Sequence, residues 1–230
     1  CKDPRYMAEG GAKNVARRDG MGTTILSAVE TIGRIPDAYF QAVGSGTGAI
    51  AAWENAERLA ADGRFGENKM RVYASQNAPF TIMYDSWKKH SRELVAMTPE
   101  EGRQKAAVIL GKALSNRKPP YSLAGGLFDV LEKSGGDMFK VTNDEIVSWV
   151  VRFCSAEGYD LFPASACAVA SLKQALDAGV VKHDETVMLN ITGGGMLGAT
   201  KKGFILKEPD LILDPDLPAE EIIAAVDKLF

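Results

Sequence analysis

The glycine-rich segment at residues 43–48, VGSGTG, carries the residue types and spacing most suited to chemistry. An apolar run ends at Val43, three glycines fall within the next five residues, and an amphipathic pattern begins at once. Glycine permits positive φ and adds no Cβ, and the start of a helix leaves N–H groups unpaired at the positive end of its dipole. A strand, a glycine turn and a helix in this order favour phosphate binding. The residues concerned are Gly44, Ser45, Gly46, Thr47 and Gly48. A tight structural turn in an α/β protein is the alternative.

Three better-known glycine motifs do not match this segment. A dinucleotide-binding turn needs G-x-G-x-x-G and an acidic residue further on, whereas the spacing here is G-x-G-x-G and the next apolar run, 70–77, contains no acid. No Gly-Lys-Ser/Thr follows, and Gly46 stands where a nucleophile elbow has its serine. The pattern therefore favours a phosphate that is bound but not transferred, as in a phosphorylated cofactor.

A second glycine turn, Thr192-Gly193-Gly194-Gly195, follows the apolar run at 186–191. Ligands of open α/β sheets gather outside the carboxyl ends of the strands, so the two turns could face one site. The Thr192 hydroxyl could bond a ring nitrogen of a ligand. Alternatively, it could satisfy a neighbouring backbone group.

Composition excludes several classes of protein. The chain has 230 residues, 46% hydrophobic and 25% charged, with a net charge of −3, as is ordinary for a soluble globular protein without a nucleic-acid footprint. No apolar stretch approaches the ~20 residues of a membrane span. Three scattered cysteines without a CxxC pair argue for a reducing compartment and against a zinc site. We expect a cytoplasmic protein that binds no nucleic acid, membrane or metal.

Hydrophobic periodicity predicts an α/β fold. Apolar runs at 38–43, 70–75, 137–141 and 186–191 predict strands, with 80–84 as a further candidate. They alternate with helical patterns, which predicts an open, mainly parallel sheet with helices on both faces. The predicted helices cover 21–33, 48–61, about 98–114, 123–133, 142–158 and 164–178, and a last helix opens near 216–218.

Four stretches in order resemble the pyridoxal-phosphate enzymes of the threonine synthase group, the fold type II or tryptophan synthase β-like class. They are Asn14-Val15-Ala16-Arg17-Arg18-Asp19-Gly20 with Thr23, the 43–48 turn, Pro163-Ala164-Ser165-Ala166, and the segment 189–194. The resemblance implies pyridoxal 5'-phosphate as cofactor, with its phosphate on residues 44–48 and its pyridine nitrogen at Thr192. A neutral hydroxyl there would leave the ring nitrogen unprotonated, which suits elimination of a β-phosphate.

The same resemblance gives Asn14 and Arg17 to the substrate, with Arg17 gripping phosphate or sulfite through its planar guanidinium. Arg18 competes for that role. Within the group, EGGAKNVARRDGMGT, YFQAVGSGTG, NRKPPY and LNITGGG are most similar to the cysteate synthase branch. That branch implies conversion of O-phospho-L-serine and sulfite to L-cysteate and phosphate, on a route to coenzyme M, by a homodimer.

Two alternatives stay open: threonine synthase chemistry on phosphohomoserine, and a non-catalytic protein that binds a phosphorylated ligand. Phe162 stands where threonine synthases carry glutamate, and Ala12 replaces a small hydroxyl residue. Both departures favour a substrate other than phosphohomoserine.

The resemblance also predicts that this sequence is the carboxyl-terminal portion of such an enzyme. It begins at Cys1 without an initiator methionine, and no lysine has the family's Ser-x-Lys setting, Lys13 being the nearest to a motif. We therefore expect no catalytic residue in this chain, with the Schiff-base lysine upstream. The expected divisions are the end of a small domain at 1–35, a large cofactor-binding domain at 36–200, and a tail at 201–230.

Overall fold

The computed structural model describes residues 4–5, 7–205, 207–214 and 216–229. The chain divides between Gly195 and Met196 into two compact units. The described part of the first unit forms one parallel sheet in the order β3-β2-β1-β4, which confirms the predicted fold class. The strands are β1 (Ala38–Ala42), β2 (Arg71–Asn77), β3 (Asp137–Val141) and β4 (Val187–Leu189). The domain boundaries expected at residues 35 and 200 stay a prediction.

In the described part of the first unit, α-helices alternate with the strands. They are α1 (Val15–Ile32), α2 (Thr47–Asp62), α3 (Ile82–Lys88), α4 (Pro99–Val108), α5 (Leu127–Ser134), α6 (Asn143–Glu157) and α7 (Pro163–Asp177). Short 3-10 turns occur at Gly11–Lys13 and Lys112–Leu114. The second unit contains α8 (Met196–Lys201) and α9 (Ala219–Asp227).

Both faces of the sheet are covered, as parallel sheets require. Side chains of β1 alternate between two cores, since Tyr39 packs with residues of α1, α2 and α5, whereas Phe40 packs with Ala175 of α7. The ring of Phe40 stacks on that of Tyr73 in β2, with centroids 4.7 Å apart. The predicted helices on both faces are therefore confirmed.

The order of the strands reverses between β1 and β4. From β1 the chain passes to β2 and β3 on one side, and β4 then pairs with the other side of β1. Phe40 pairs in parallel with Leu189, so the two strands end at the same edge of the sheet. Such a reversal opens a crevice outside the carboxyl ends of the strands, where ligands of open α/β folds bind.

The strand proposed at 80–84 is wrong, because these residues lead into α3. The side chain of Gln76, at the end of β2, accepts hydrogen bonds from the N–H groups of Met83 (2.9 Å) and Tyr84 (3.0 Å). A side chain from the sheet thus satisfies donors at the start of this helix. An apolar run of five residues has no periodicity that separates a strand from a short buried helix.

The helix predicted to run from residue 98 to about 114 is too long. Thr98 caps α4 with a complete capping box, which agrees with the predicted start, but the helix ends at Val108. The next N–H groups donate to asparagine side chains from the sheet edge: Leu110 to Asn143 Oδ1 (3.2 Å) and Gly111 to Asn77 Oδ1 (3.0 Å). These long-range bonds replace the intrahelical ones.

Candidate functional site

The turn at residues 44–48 leaves the sheet directly and enters α2. Val43 N–H still donates to Ser75 O of the neighbouring strand, at 2.9 Å. Gly46 is the N-cap of α2, with φ +80° and ψ −1°, a left-handed conformation that glycine adopts without strain. The strand–turn–helix arrangement predicted from the sequence is confirmed.

The protein's own packing requires glycine at position 44 and leaves little room for a side chain at Gly46 and Gly48. A Cβ on Gly44 would lie 2.5 Å from the carbonyl oxygen of Ala113, and one on Gly48 would lie 2.7 Å from Gln41 Nε2. A Cβ on Gly46 would come within 3.2 Å of Leu127 Cδ2. The glycines let the turn lie against the Lys112–Leu114 turn, β1 and α5, a function that their spacing alone did not reveal.

The backbone N–H groups of the turn are available to a ligand. Among the described residues, no acceptor bonds the N–H of Gly44, Ser45, Gly46, Gly48 or Ala49. Thr47 N–H donates to Ser45 Oγ at 3.3 Å, and the Ser45 and Thr47 hydroxyls lie 3.0 Å apart. Since backbone donors inside a protein normally find partners, this cluster of free donors at a helix start fits an anion.

A series of side-chain hydrogen bonds joins the ends of β1 and β4. Asn190 Nδ2 donates to the Tyr39 hydroxyl at 2.7 Å, and that hydroxyl donates to Gln41 Oε1 at 2.8 Å. Burial raises the pKa of Tyr39 well above its usual range of about 10, so the phenol stays neutral. Because the Gln41 amide also lies beside Gly48, these hydrogen bonds link the end of β4 to the start of α2.

The second glycine turn is held by the first residues of α7. Ser165, which is buried, accepts from Gly193 N–H at 2.9 Å and donates to Gly193 O at 2.8 Å. Its hydroxyl lies 3.4 Å from that of Thr192, which is exposed and lines a cavity of about 440 Å³. Sequence reasoning did not count Ser165 among the site residues, although it lies in one of the four stretches.

Asn14 and Arg17 lie at the start of α1. Asn14 is the N-cap: its Oδ1 accepts from Arg17 N–H at 3.2 Å, and its Nδ2 donates to Glu9 O at 2.8 Å. The Arg17 guanidinium pairs with Glu9 at 2.6 Å, a hydrogen bond that lowers the pKa of the glutamate below its usual range. Asn14 thus orders the segment that carries Arg17. Its own contact with substrate stays a prediction.

The two candidate arginines face different cavities. Arg17 lines a cavity of about 460 Å³ together with Ser45 and Thr47 of the glycine turn. Arg18 lines a smaller cavity, of about 240 Å³, beside Ile50, and its Nε lies 3.5 Å from Glu54. The structure therefore places Arg17 next to the glycine turn, and its contact with the substrate anion stays a prediction.

Within the described ranges, no set of three or more His, Cys, Asp or Glu side chains is arranged to hold a metal ion. None of the helices described is both long and apolar enough to cross a membrane.

Comparison with known proteins decides the family. The sequence profile described as "Pyridoxal-phosphate dependent enzyme" matches residues 2–193. The chain belongs to this family. Cysteate synthase from Methanocella paludicola is 47% identical over 223 residues, covering 96% of this chain and 52% of that protein. Cysteate synthase from Methanosarcina acetivorans is 45% identical over 226 residues, covering 96% of this chain and 54% of that protein. The chain spans about half the length of the curated relatives it matches.

Solved structures with low sequence identity share the fold. A threonine deaminase from T.th. superposes with a TM-score of 0.55 at 14% identity, covering 80% of this chain and 58% of that one. Serine racemase from Dictyostelium discoideum superposes with a TM-score of 0.54 at 19% identity, covering 76% of this chain and 49% of that one.

The described residues fit the cofactor of the pyridoxal-phosphate family. The free N–H groups of the turn at 44–48 suit its phosphate, and the Thr192 hydroxyl suits its ring nitrogen. Both turns follow strands that end at the crevice where the sheet order reverses.

Proposed function

We propose that the protein replaces the phosphate of O-phospho-L-serine with sulfite, producing L-cysteate and inorganic phosphate. The Cβ–O bond breaks with its electron pair on phosphate, and the sulfur lone pair of sulfite forms the new Cβ–S bond. The proposal is supported by relatives that are 42–49% identical and carry the name cysteate synthase.

One observation about the geometry carries the proposal: Arg17 shares a cavity with Ser45 and Thr47. The backbone donors of that turn suit the cofactor phosphate, and a guanidinium at the same cavity suits a further anion. A reaction that exchanges one oxyanion for another needs such a group. Glu9 holds the guanidinium at one end through a 2.6 Å contact, so Arg17 is oriented before substrate arrives.

In this proposal the chain binds and orients the cofactor. Residues 44–48 hold its phosphate through N–H groups, and Thr192 meets the pyridine nitrogen, with Ser165 fixing the turn on which Thr192 lies. When bound, pyridoxal phosphate withdraws electrons from the substrate Cα, which permits loss of a β-substituent. A neutral threonine at the ring nitrogen supplies no negative charge to hold a proton there.

Phe162 favours phosphoserine chemistry over threonine synthase chemistry. It lies at the N-cap of α7, and its ring packs at Gly193, where a Cβ would come within 2.8 Å of Phe162 Cδ2. By the resemblance to threonine synthases, those enzymes carry glutamate at this position, whereas this chain has an apolar ring. The wall beside Thr192 is correspondingly less acidic.

The test uses the full-length protein loaded with pyridoxal phosphate. Incubation with O-phospho-L-serine and sulfite should release L-cysteate and phosphate in equal amounts, measured by mass spectrometry and a phosphate assay. Threonine formation from phosphohomoserine would support the alternative enzyme. Tight cofactor binding without turnover of either substrate would support a non-catalytic ligand-binding protein.

A further inference from the structure

The segment NRKPPY, between the Lys112–Leu114 turn and α5, approaches the glycine turn at 44–48. The chain just before it is fixed to the sheet edge by the N–H bonds from Leu110 and Gly111 to asparagine side chains. It then passes the glycine turn so closely that a Cβ on Gly44 would lie 2.5 Å from Ala113 O. The position of the following residues relative to the turn is therefore set by the sheet itself.

Asn116 and Lys118 of this segment line the same cavity as Ser45, Thr47 and Arg17. The side chain of Asn116 accepts from Lys118 N–H at 2.9 Å, a local turn that fixes the backbone of the lysine. Pro119 follows directly and restricts that backbone further. Lys118 is thus presented to the cavity by an ordered loop.

The charges around this cavity are unbalanced. Lys13, Arg17 and Lys118 line it, and none of the described lining residues is acidic. Arg17 is already paired with Glu9. Lys13 and Lys118, by contrast, have no ion-pair partner in the described part of the chain. An oxyanion entering the cavity would meet an unneutralised ammonium group, which supplies a compact point charge.

We infer that Lys118, held in place by Asn116, binds a second oxyanion beside the cofactor phosphate. The chemistry that it recognises is a small, multiply charged oxyanion, either the phosphate of the substrate or sulfite. This inference rests on the proposed function, to which it adds an ammonium group whose backbone is fixed by Asn116 and which has no ion-pair partner among the described residues. Arg17 orients the anion through its planar guanidinium, and Lys118 contributes a positive charge that no carboxylate among the described residues pairs with.

The experiment measures anion binding directly, in the full-length protein loaded with pyridoxal phosphate so that the 44–48 turn is occupied. Inorganic phosphate and sulfite are titrated separately by isothermal calorimetry. The variants are Lys118→Ala and Lys118→Arg, with Lys89→Ala as a matched control, because Lys89 is exposed at the end of α3 and does not line the cavity shared by Arg17 and Lys118.

We expect Lys118→Ala to raise the Kd of at least one of the two anions about tenfold or more, the scale of a lost charge-assisted contact. Lys118→Arg should restore most of the affinity, and Lys89→Ala should match the parent protein. A loss of affinity for phosphate alone assigns the site to the leaving group, and a loss of affinity for sulfite alone assigns it to the nucleophile. In steady-state assays, KM for the matching substrate should rise far more than kcat falls.

Unchanged affinity for both anions in Lys118→Ala would overturn the inference, as would an equal loss in Lys89→Ala. The two proposals fail separately. Anion binding that depends on Lys118 without cysteate formation would reject the proposed reaction and keep the Lys118 anion site. Cysteate formation with unchanged anion binding in Lys118→Ala would keep the reaction and reject the Lys118 site.

Discussion

The hydroxyl of Ser165 bonds both polar groups of the Gly193 residue, accepting from its N–H at 2.9 Å and donating to its carbonyl at 2.8 Å. The turn that carries Thr192 is therefore fixed to the start of α7 by one buried side chain. Because α7 packs across the strands of the sheet, the position of the Thr192 hydroxyl is linked to the core.

Replacement of Ser165 by alanine should weaken cofactor binding. It leaves the Gly193 N–H without its acceptor, which costs about 1–3 kcal/mol, and it frees the Thr192 turn. Ser171→Ala is the matched control, since Ser171 is also buried on α7 but bonds only Ala168 O of the same helix. Cofactor Kd is measured by absorbance titration of the full-length protein. Equal Kd values in the two variants would show that Ser165 does not position the site.

Gly44→Ala should disrupt the turn at 44–48. The added Cβ would lie 2.5 Å from a backbone carbonyl, so either the turn or the Lys112–Leu114 segment must move. We expect loss of cofactor retention during gel filtration and a lower thermal midpoint. Gly20→Ala, in α1 with no atom within 4 Å of the added Cβ, should be neutral or raise stability by up to about 1 kcal/mol. Retention by Gly44→Ala equal to that of Gly20→Ala would argue against the turn as the phosphate site.

Arg17→Ala and Arg18→Ala should differ in their effect on the reaction. Removal of the Arg17 guanidinium should lower kcat/KM for phosphoserine. The corresponding loss of transition-state stabilisation should be about 1.5–3 kcal/mol, the range for hydrogen bonds to charged groups. Arg18 lies 3.5 Å from Glu54 and lines another cavity, so its removal should change kcat/KM little. The opposite ranking of the two variants would move the substrate anion to Arg18.

The start of α6 should be sensitive to acid. Burial raises the pKa of Glu145, but hydrogen bonds from Thr142 N–H and hydroxyl and from Gln174 outweigh it and lower the pKa below 4.5. A carboxyl whose pKa is depressed by folding stabilises the protein above its unfolded pKa, and this contribution is lost as the pH falls below about 4.5. Urea unfolding should therefore show a cost for Glu145→Ala that shrinks between pH 6 and pH 3. A cost independent of pH would contradict the assignment.

Local patterns in the sequence predicted the four strands, the covered sheet and most helix starts, because apolar periodicity and caps act within a few residues. Thr98 and Thr142, at the predicted starts of two helices, form complete capping boxes. The helix predicted from residue 21 begins at Val15 instead, because the Asn14 side chain caps it. The other errors occurred where distant side chains intervene. Gln76 supplies acceptors to the start of α3, and Asn77 and Asn143 take the N–H groups after Val108.

The candidate site was predicted in part for the same reason. The two glycine turns and Arg17 are local motifs, and their order along the chain matched a known family. The packing of Gly44 on Ala113, the bonds of Ser165 to Gly193 and the presence of Lys118 in the Arg17 cavity all join segments far apart in sequence. Such contacts depend on strand order, which residue spacing alone does not specify.

We propose that the turns at 44–48 and 192–195 together hold pyridoxal phosphate at the ends of β1 and β4. A crystal structure of the full-length protein with the cofactor tests this most directly. We expect the cofactor phosphate within hydrogen-bond distance of several N–H groups of residues 44–49, and the pyridine nitrogen beside Thr192 Oγ1. A cofactor phosphate bound elsewhere, with those N–H groups bonded to carbonyls of the protein, would contradict it.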